Sequence, residues 1–369
     1  MAGSTMLSLS WSGTLAFAIC FHLIYRFCTS RERHRRLAQT AAQPKRYCGR
    51  FPLGIDIFWQ LIEAHRNSTH LELGQSLFEK HGHTTELHFL GQGVIFTDDP
   101  ENIEAMLQTK FKDFGRGAMI RSMFHLVLGD SVFSADGDLW RHGRSLTRPT
   151  FSKQRTSNLD IVEKHIQRAI DLISPGEKTV NLQDIFFRFS FDASLEHLVG
   201  ELPSSWDNHQ ILLSKSFDRI QEWLSLRLHA GPLYFLVPEF IYAKDVKTID
   251  DCLFPIVEKA IRTASEDKSC GDANSSKFSV LQAMCQTTDD KKFLRDQLVG
   301  LLLAGRDTTA AALSSWTFYE LARHPQVYAR LRNEVLEKIG SKVAPTIDTL
   351  NSLEFVKKVI NESTIPDLF

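Results

Sequence analysis

The sequence predicts a mainly α-helical domain with a small β subdomain near its front, preceded by an N-terminal transmembrane helix. Three observations predict it. Met6–Tyr25 is a run of twenty residues without a formal charge. Thr84–Phe89 and Val94–Thr97 flank Gly91-Gln92-Gly93, the pattern of a β-hairpin. Beyond Asp99, apolar residues recur every three or four positions over most of the chain, as one face of a helix requires.

The uncharged run includes Leu15, Phe17, Ile19, Phe21, Leu23 and Ile24. A helix of that length covers about 30 Å, the thickness of a bilayer core. Arg26, Arg31, Arg33, Arg35 and Arg36 follow it, opposed only by Glu32. Positive flanks stay on the cytoplasmic side, which places the rest of the chain in the cytosol. A cleaved signal peptide needs a basic segment before the apolar run, and residues 1–10 contain no Lys or Arg. Ser12, Thr14 and His22 make the span less apolar than an ideal one and leave an interfacial segment as the rival. The expected organisation is an anchor at 6–25, a basic juxtamembrane linker at 26–50 and a folded domain at 51–369.

Pro44, Gly49, Pro52 and Gly54 break regular structure before the domain. Helical stretches are expected at Ile55–His65 and Thr69–His81, and Asp99-Pro100-Glu101 starts another, with proline in the first turn. Leu159, Val162, Ile166, Ile170 and Ile173 mark one amphipathic helix. Val246, Ile249, Leu253, Ile256, Val257, Ala260 and Ile261 mark a second. Cys270–Lys277 reads as a loop by composition, and no internal repeat is visible.

Composition narrows the function. Apolar residues make up 43% and charged residues 24%, a globular balance, and the net charge of −1 excludes bulk nucleic-acid binding. The 26 phenylalanines suit a greasy core or pocket. None of the six cysteines stands in a C-x-x-C pair, which argues against a zinc site or redox pair and for a reducing compartment.

Leu298–Leu313, LVGLLLAGRDTTAAAL, lies inside a helical pattern from about Asp290 to Arg323. Arg306-Asp307 would lie near the middle of any second membrane span, where charge is expensive. Arg306, Asp307, Thr308 and Thr309 sweep roughly 300° of a helix, so they cannot all face water while the flanking leucines and alanines are buried. Some polar groups must point inward, where they are costly unless paired or used. Ala304 and Gly305 remove bulk and would let a flat ligand approach the backbone. A threonine hydroxyl here can bond back to the preceding turn. Asp307 and Thr308 form an acid–alcohol pair able to pass protons to a bound species.

Ala304-Gly305-Arg306-Asp307-Thr308-Thr309 resembles the A/G-G-x-D/E-T-T motif on the long central helix of the cytochromes P-450. The resemblance implies that this helix lies over the distal face of a haem, with Ala304 and Gly305 against the cofactor. Thr308 would assist proton delivery, with Asp307 as the acid of the relay. Glu320-Leu321-Ala322-Arg323-His324-Pro325 resembles the family's next helix. On a helix Trp140 and Arg144 share a face and can bind a carboxylate. They match the family's W-x-x-x-R, which contacts haem propionates. Gly129-Asp130-Ser131-Val132-Phe133, Arg148-Pro149-Thr150-Phe151 and Phe186-Phe187-Arg188-Phe189 resemble most closely the fungal microsomal alkane and fatty-acid hydroxylases.

The likeness ends near Glu362. The family's E-x-x-R ion pair would need arginine at 365, where the chain has Ile365. An unpaired buried carboxylate at Glu362 would then be destabilising. The thiolate that binds haem iron comes from F-x-x-G-x-R-x-C-x-G. Arg46-Tyr47-Cys48-Gly49 only echoes it, with Ala41 and Pro44 in the Phe and Gly positions. The expectation is therefore a partial cytochrome P-450 fold lacking the C-terminal haem-binding part, with no residue ligating a metal. One apolar side of Leu298–Leu313 should lack cover.

The resemblance implies a haem monooxygenase of a small apolar substrate such as an alkane or fatty acid, with no iron ligand of its own and expected to be inactive alone. Its expected setting is the endoplasmic reticulum membrane, crossed once, with a cytosolic catalytic domain and an NADPH-dependent reductase as partner. The alternative is a non-catalytic, membrane-tethered fragment that acts through protein interactions.

Overall fold

The computed structural model describes residues 44–148, 159–173, 179–200, 207–270, 279–341 and 343–363. The expected anchor at 6–25, Ile365 and most of the loop after Cys270 lie outside them. Among the described residues no helix is long and apolar enough to cross a membrane. The chain divides into two compact units, one reaching Phe114 and including Leu226–Val237, the other formed by Gly115–Ser225 and the chain from Pro238.

The first unit is built on a three-stranded sheet in the order β1-β2-β3. Strand β2 (Thr84–Phe89) pairs antiparallel with β3 (Gln92–Thr97), and Phe89 faces Gln92. The expected hairpin is present, with its turn one step earlier than the glycine pattern suggested. Leu90 and Gly91 both take positive φ, as a two-residue turn needs, which leaves Gln92 and Gly93 free to pair. Strand β1 (Lys45–Tyr47) runs parallel to β2 inside the stretch expected to be linker. Three residues show too little alternation to be seen in the sequence. Arg46 of β1 holds the buried Glu86 at 2.9 Å, and His88 approaches the same carboxylate at 3.0 Å. Helices α1 (Ile55–Asn67) and α2 (His70–His81) cover the sheet through Ile57, Leu77, Leu87 and Phe89. Asp99 caps α3 (Pro100–Glu104), its carboxylate accepting from Glu101 N at 2.9 Å.

The second unit is helical throughout its described residues. It contains α4 (Gly117–Leu128), α5 (Gly137–Thr147), α6 (Leu159–Ile173), α7 (Leu182–Val199) and most of α8 (Asp207–Ala230). It continues with α9 (Ala243–Cys270), α10 (Val280–Cys285) and α11 (Lys291–Ala311). The winding widens to a π-helical form over Ala312–Phe318, and α12 (Tyr319–Arg323) follows. Then come α13 (Pro325–Lys338), α14 (Ile347–Ser352) and α15 (Glu354–Ser363).

Helix α11 runs through the core of this unit, with Leu294, Leu298, Val299 and Leu302 fully buried. Its main partner is α7, which contributes Phe191, Leu195 and Leu198 to the same cluster. The expected face of α9 is inside, with Ile249, Leu253 and Val257 fully buried.

Three expectations need correction. In α6 the buried side chains are His165 and Ala169, while Val162, Ile170 and Ile173 are exposed. A polar contact decides this, because His165 Nε2 lies 2.7 Å from Glu196 Oε2 of α7 and turns that face inward. Glu362 is exposed, so it carries no buried-charge penalty. The apolar side of Leu298–Leu313 is covered through Leu302. The open part is Thr308 and Thr309, with Leu303, Ala304, Ala311, Ala312 and Leu313 half-buried around them.

Candidate functional site

The first half of α11 carries three buried polar residues in succession, Arg295, Asp296 and Gln297. Arg295 ties the end of α4 to α9, and Asp296 and Gln297 hold the segment between α4 and α5. Arg295 donates to Val127 O at 2.5 Å and to Asp250 Oδ1 at 2.6 Å. Asp296 Oδ2 accepts from Asp130 N at 3.0 Å. Gln297 accepts from Val132 N at 3.1 Å and donates to Asp130 O at 3.0 Å. Gly129 has φ +49°, and a Cβ there would lie 1.9 Å from Asp296 Oδ2. Only glycine fits that close approach. The Gly129–Phe133 segment is thus fixed against the helix that carries the motif.

Two turns further along α11 lies Ala304–Thr309. Arg306 turns inward and is 3% exposed. Its guanidinium pairs with Asp218 and donates to Gln221 Oε1 at 3.3 Å, both on α8. It also stacks over Phe187 and Phe191 of α7, 5.4 and 5.6 Å from the ring centres. Ser190 Oγ donates to Arg306 O at 2.8 Å. The expected inward polar group is therefore arginine, whose two terminal nitrogens are met by α8 and whose ring contacts and backbone partner come from α7.

Asp307 is half-buried, and Gln221 Nε2 donates to its Oδ2. Its Oδ1 lies 3.8 Å from Arg306 Nε, and neither atom has a hydrogen-bond partner among the described residues. Burial pushes the Asp307 carboxyl above its ordinary value; Arg306 opposes the shift and Asp218 adds to it. Thr308 is exposed and donates back to Ala304 O at 2.7 Å. No hydrogen bond joins Asp307 to Thr308 among the described residues, because one faces α8 and the other faces outward. Gly305 departs from its expected role. A Cβ there would lie 2.7 Å from Ser194 Oγ, so the missing side chain makes room for α7 and not for a ligand. Ala304 remains half-buried beside Thr308.

Trp140 is half-buried and Arg144 exposed on α5. Arg144 makes no ion pair among the described residues. Helix α5 meets α11 nearer its start, where His142 lies 4.8 Å from Phe293 and Gly143 abuts Gln297. The described free cysteines are Cys48, Cys252 and Cys285. Cys252 and Cys285 belong to the apolar core, and burial, with Asp251 nearby, pushes the Cys252 thiol up, away from thiolate. The small and outward-turned residues near Thr308 fit a flat cofactor's face, and Arg144 fits its carboxylates. The two core cysteines do not fit an iron ligand.

Sequence reasoning passed over Asp218, Gln221, Ser190 and Ser194, which position the motif from other helices. It also passed over Arg295-Asp296-Gln297, although three consecutive polar residues among leucines carry the same signal that picked out Arg306-Asp307.

The cytochrome P-450 family model matches residues 50–364. A cytochrome P-450 monooxygenase of Talaromyces variabilis, pvhE, is 31% identical over 95% of this chain and 69% of its own length. Cytochrome P-450 52A13 of Debaryomyces hansenii is also 31% identical, over 94% of this chain and 69% of its own. Cytochrome P-450 52A1 of Candida tropicalis is 33% identical over 76% of this chain and 54% of its own. The match spans both units and the helix bearing the Ala304–Thr309 motif, and the chain belongs to the cytochrome P-450 family of haem-dependent monooxygenases.

Proposed function

We propose that this chain forms the distal side of a haem-thiolate site that hydroxylates medium or long alkyl chains, as in alkane or fatty-acid hydroxylation. The observation that carries the reading is the division of labour on α11. Thr308 opens outward among half-buried aliphatic side chains, while Asp307 beside it is kept protonatable by burial. Ala304 and Thr308 would face the haem, and Trp140 and Arg144 would hold its carboxylates by charge-assisted hydrogen bonds. When bound, haem supplies the activation of dioxygen.

The chain's own residues handle the proton. Asp307 holds it at the carboxyl facing Gln221, and Thr308 offers a hydroxyl oxygen anchored by its bond to Ala304 O. A proton passing between them crosses a water, since no direct bond joins the two. Leu303, Ala311, Ala312 and Leu313 flank the threonines and favour an apolar substrate. Electrons would come from an NADPH-dependent reductase at the endoplasmic reticulum membrane, with residues 6–25 as the anchor.

Fused to the haem-ligand segment of cytochrome P-450 52A13, the chain should hydroxylate alkyl substrates with NADPH and reductase. Asp307→Asn or Thr308→Ala should then lower product per NADPH by about a hundredfold. Undiminished coupling in both variants would remove them from the proton path.

A further inference from the structure

Three histidines of the first unit come together away from the motif helix. His65 stands in the last turn of α1 and His70 is the first residue of α2. The connection between them is a single tight turn. Ser68 takes φ +55°, and its N–H and that of Thr69 bond back to His65 O and Ala64 O. That turn folds His70 back beside His65. His229 arrives from the last turn of α8, within Leu226–Val237. Its ring centre lies 3.6 Å from that of His65 and 5.3 Å from that of His70.

We propose that His65, His70 and His229 form a binding site for one divalent transition-metal cation of the zinc class. One potential ligand nitrogen from each ring lies within 4.8 Å of the other two. His70 Nε2 and His65 Nδ1 are 3.5 Å apart. That spacing is long for a hydrogen bond, whose usual range is about 2.7–3.2 Å. It matches an edge of a tetrahedral site instead, because two nitrogens each about 2.1 Å from zinc are about 3.4 Å apart. Closing the remaining gap takes about 1.5 Å at most, which side-chain rotation supplies.

Imidazole nitrogen is a ligand for zinc, copper and nickel, whereas calcium and magnesium want oxygen. His65 and His70 are exposed and His229 half-buried, so the ion has an entry path and water can fill the fourth position. The product is a clamp. The α1–α2 turn and the end of α8 are far apart in sequence, and one ion would tie them together inside the unit.

The test uses the whole chain, purified in detergent with an affinity tag free of histidine. Equilibrium dialysis against Zn2+ should give one ion per chain, and Co2+ in its place should give the strong visible bands of a tetrahedral site. His70→Ala and the double variant His65→Ala/His229→Ala should each weaken binding by about a hundredfold or more. His324→Ala, on an exposed histidine elsewhere, should leave it unchanged. Far-ultraviolet circular dichroism checks that each variant is folded. Zn2+ should raise the melting temperature of the parent chain and not of the double variant. Less than one ion per chain in the folded parent, or unchanged affinity in the folded double variant, overturns the proposal.

Discussion

Arg306 and Asp307 are neighbours of opposite charge that meet different fates. Arg306 is almost wholly buried, yet Asp218, Gln221 and two aromatic rings meet its terminal nitrogens and its flat face. Asp307 keeps one oxygen without a hydrogen-bond partner among the described residues. Burial raises its carboxyl above the ordinary value, so the folded chain holds that proton more tightly than the unfolded chain does. Its contribution to stability is then most favourable below the ordinary carboxylate value and declines as pH rises through the raised value. Asp307→Asn removes the titration. In urea unfolding, the variant should gain on the parent as pH rises from about 4 through the raised value. A difference that stays flat across that range would mean Asp307 ionises as freely in the fold as outside it. At this scale an inward-turned polar group was legible, because four consecutive polar residues cannot share one face of a helix, and the fold turns Arg306 inward. The role of Gly305 was not, because the atom that fills its space, Ser194 Oγ, belongs to another helix.

Among elements, α11 does two jobs along its length. Its second half carries the motif, and its first half grips the Gly129–Phe133 segment through Asp296 and Gln297. Gln297 is fully buried and satisfies one backbone N–H and one backbone C=O of that segment. Gln297→Leu keeps nearly the same volume and leaves both groups buried without partners. Each such loss costs about 1–3 kcal/mol, so the variant should be less stable by about 2–6 kcal/mol. The expected readout is a lower urea midpoint with an unchanged slope. A loss below about 1 kcal/mol would mean that water enters and replaces the amide. The helices themselves were legible from period alone in α9 and α11. In α6 the period pointed to the wrong face, because the His165–Glu196 contact outweighs the exposure of Val162, Ile170 and Ile173. Sequence periodicity counts apolar residues and cannot see which polar contact a neighbouring helix offers.

For the whole molecule, the balance of helix and small sheet could be read in advance, while the division into two units could not. That division depends on Leu226–Val237 returning to the first unit, a long-range event with no local signature. The same return brings His229 to His65, which is why spacing in the chain gave no hint of a three-histidine cluster. Membrane attachment follows a different logic, since a span is specified by its own composition. Met6–Tyr25 carries no charge, five arginines follow, and no described helix can cross a bilayer. If the anchor lies there, attachment should be separable from the fold. Removing residues 1–36 should leave a chain with the same far-ultraviolet circular dichroism per structured residue that no longer floats with lipid vesicles in a density gradient. Flotation is the right measurement because exposed Trp59, Leu71 and Leu236 can make protein sediment by self-association, whereas only lipid carries it upward. The parent chain should float even after alkaline carbonate, which strips proteins held by charge alone. Equal flotation of the shortened chain would move the attachment into residues 37–369 and end the role of the uncharged run as the sole anchor.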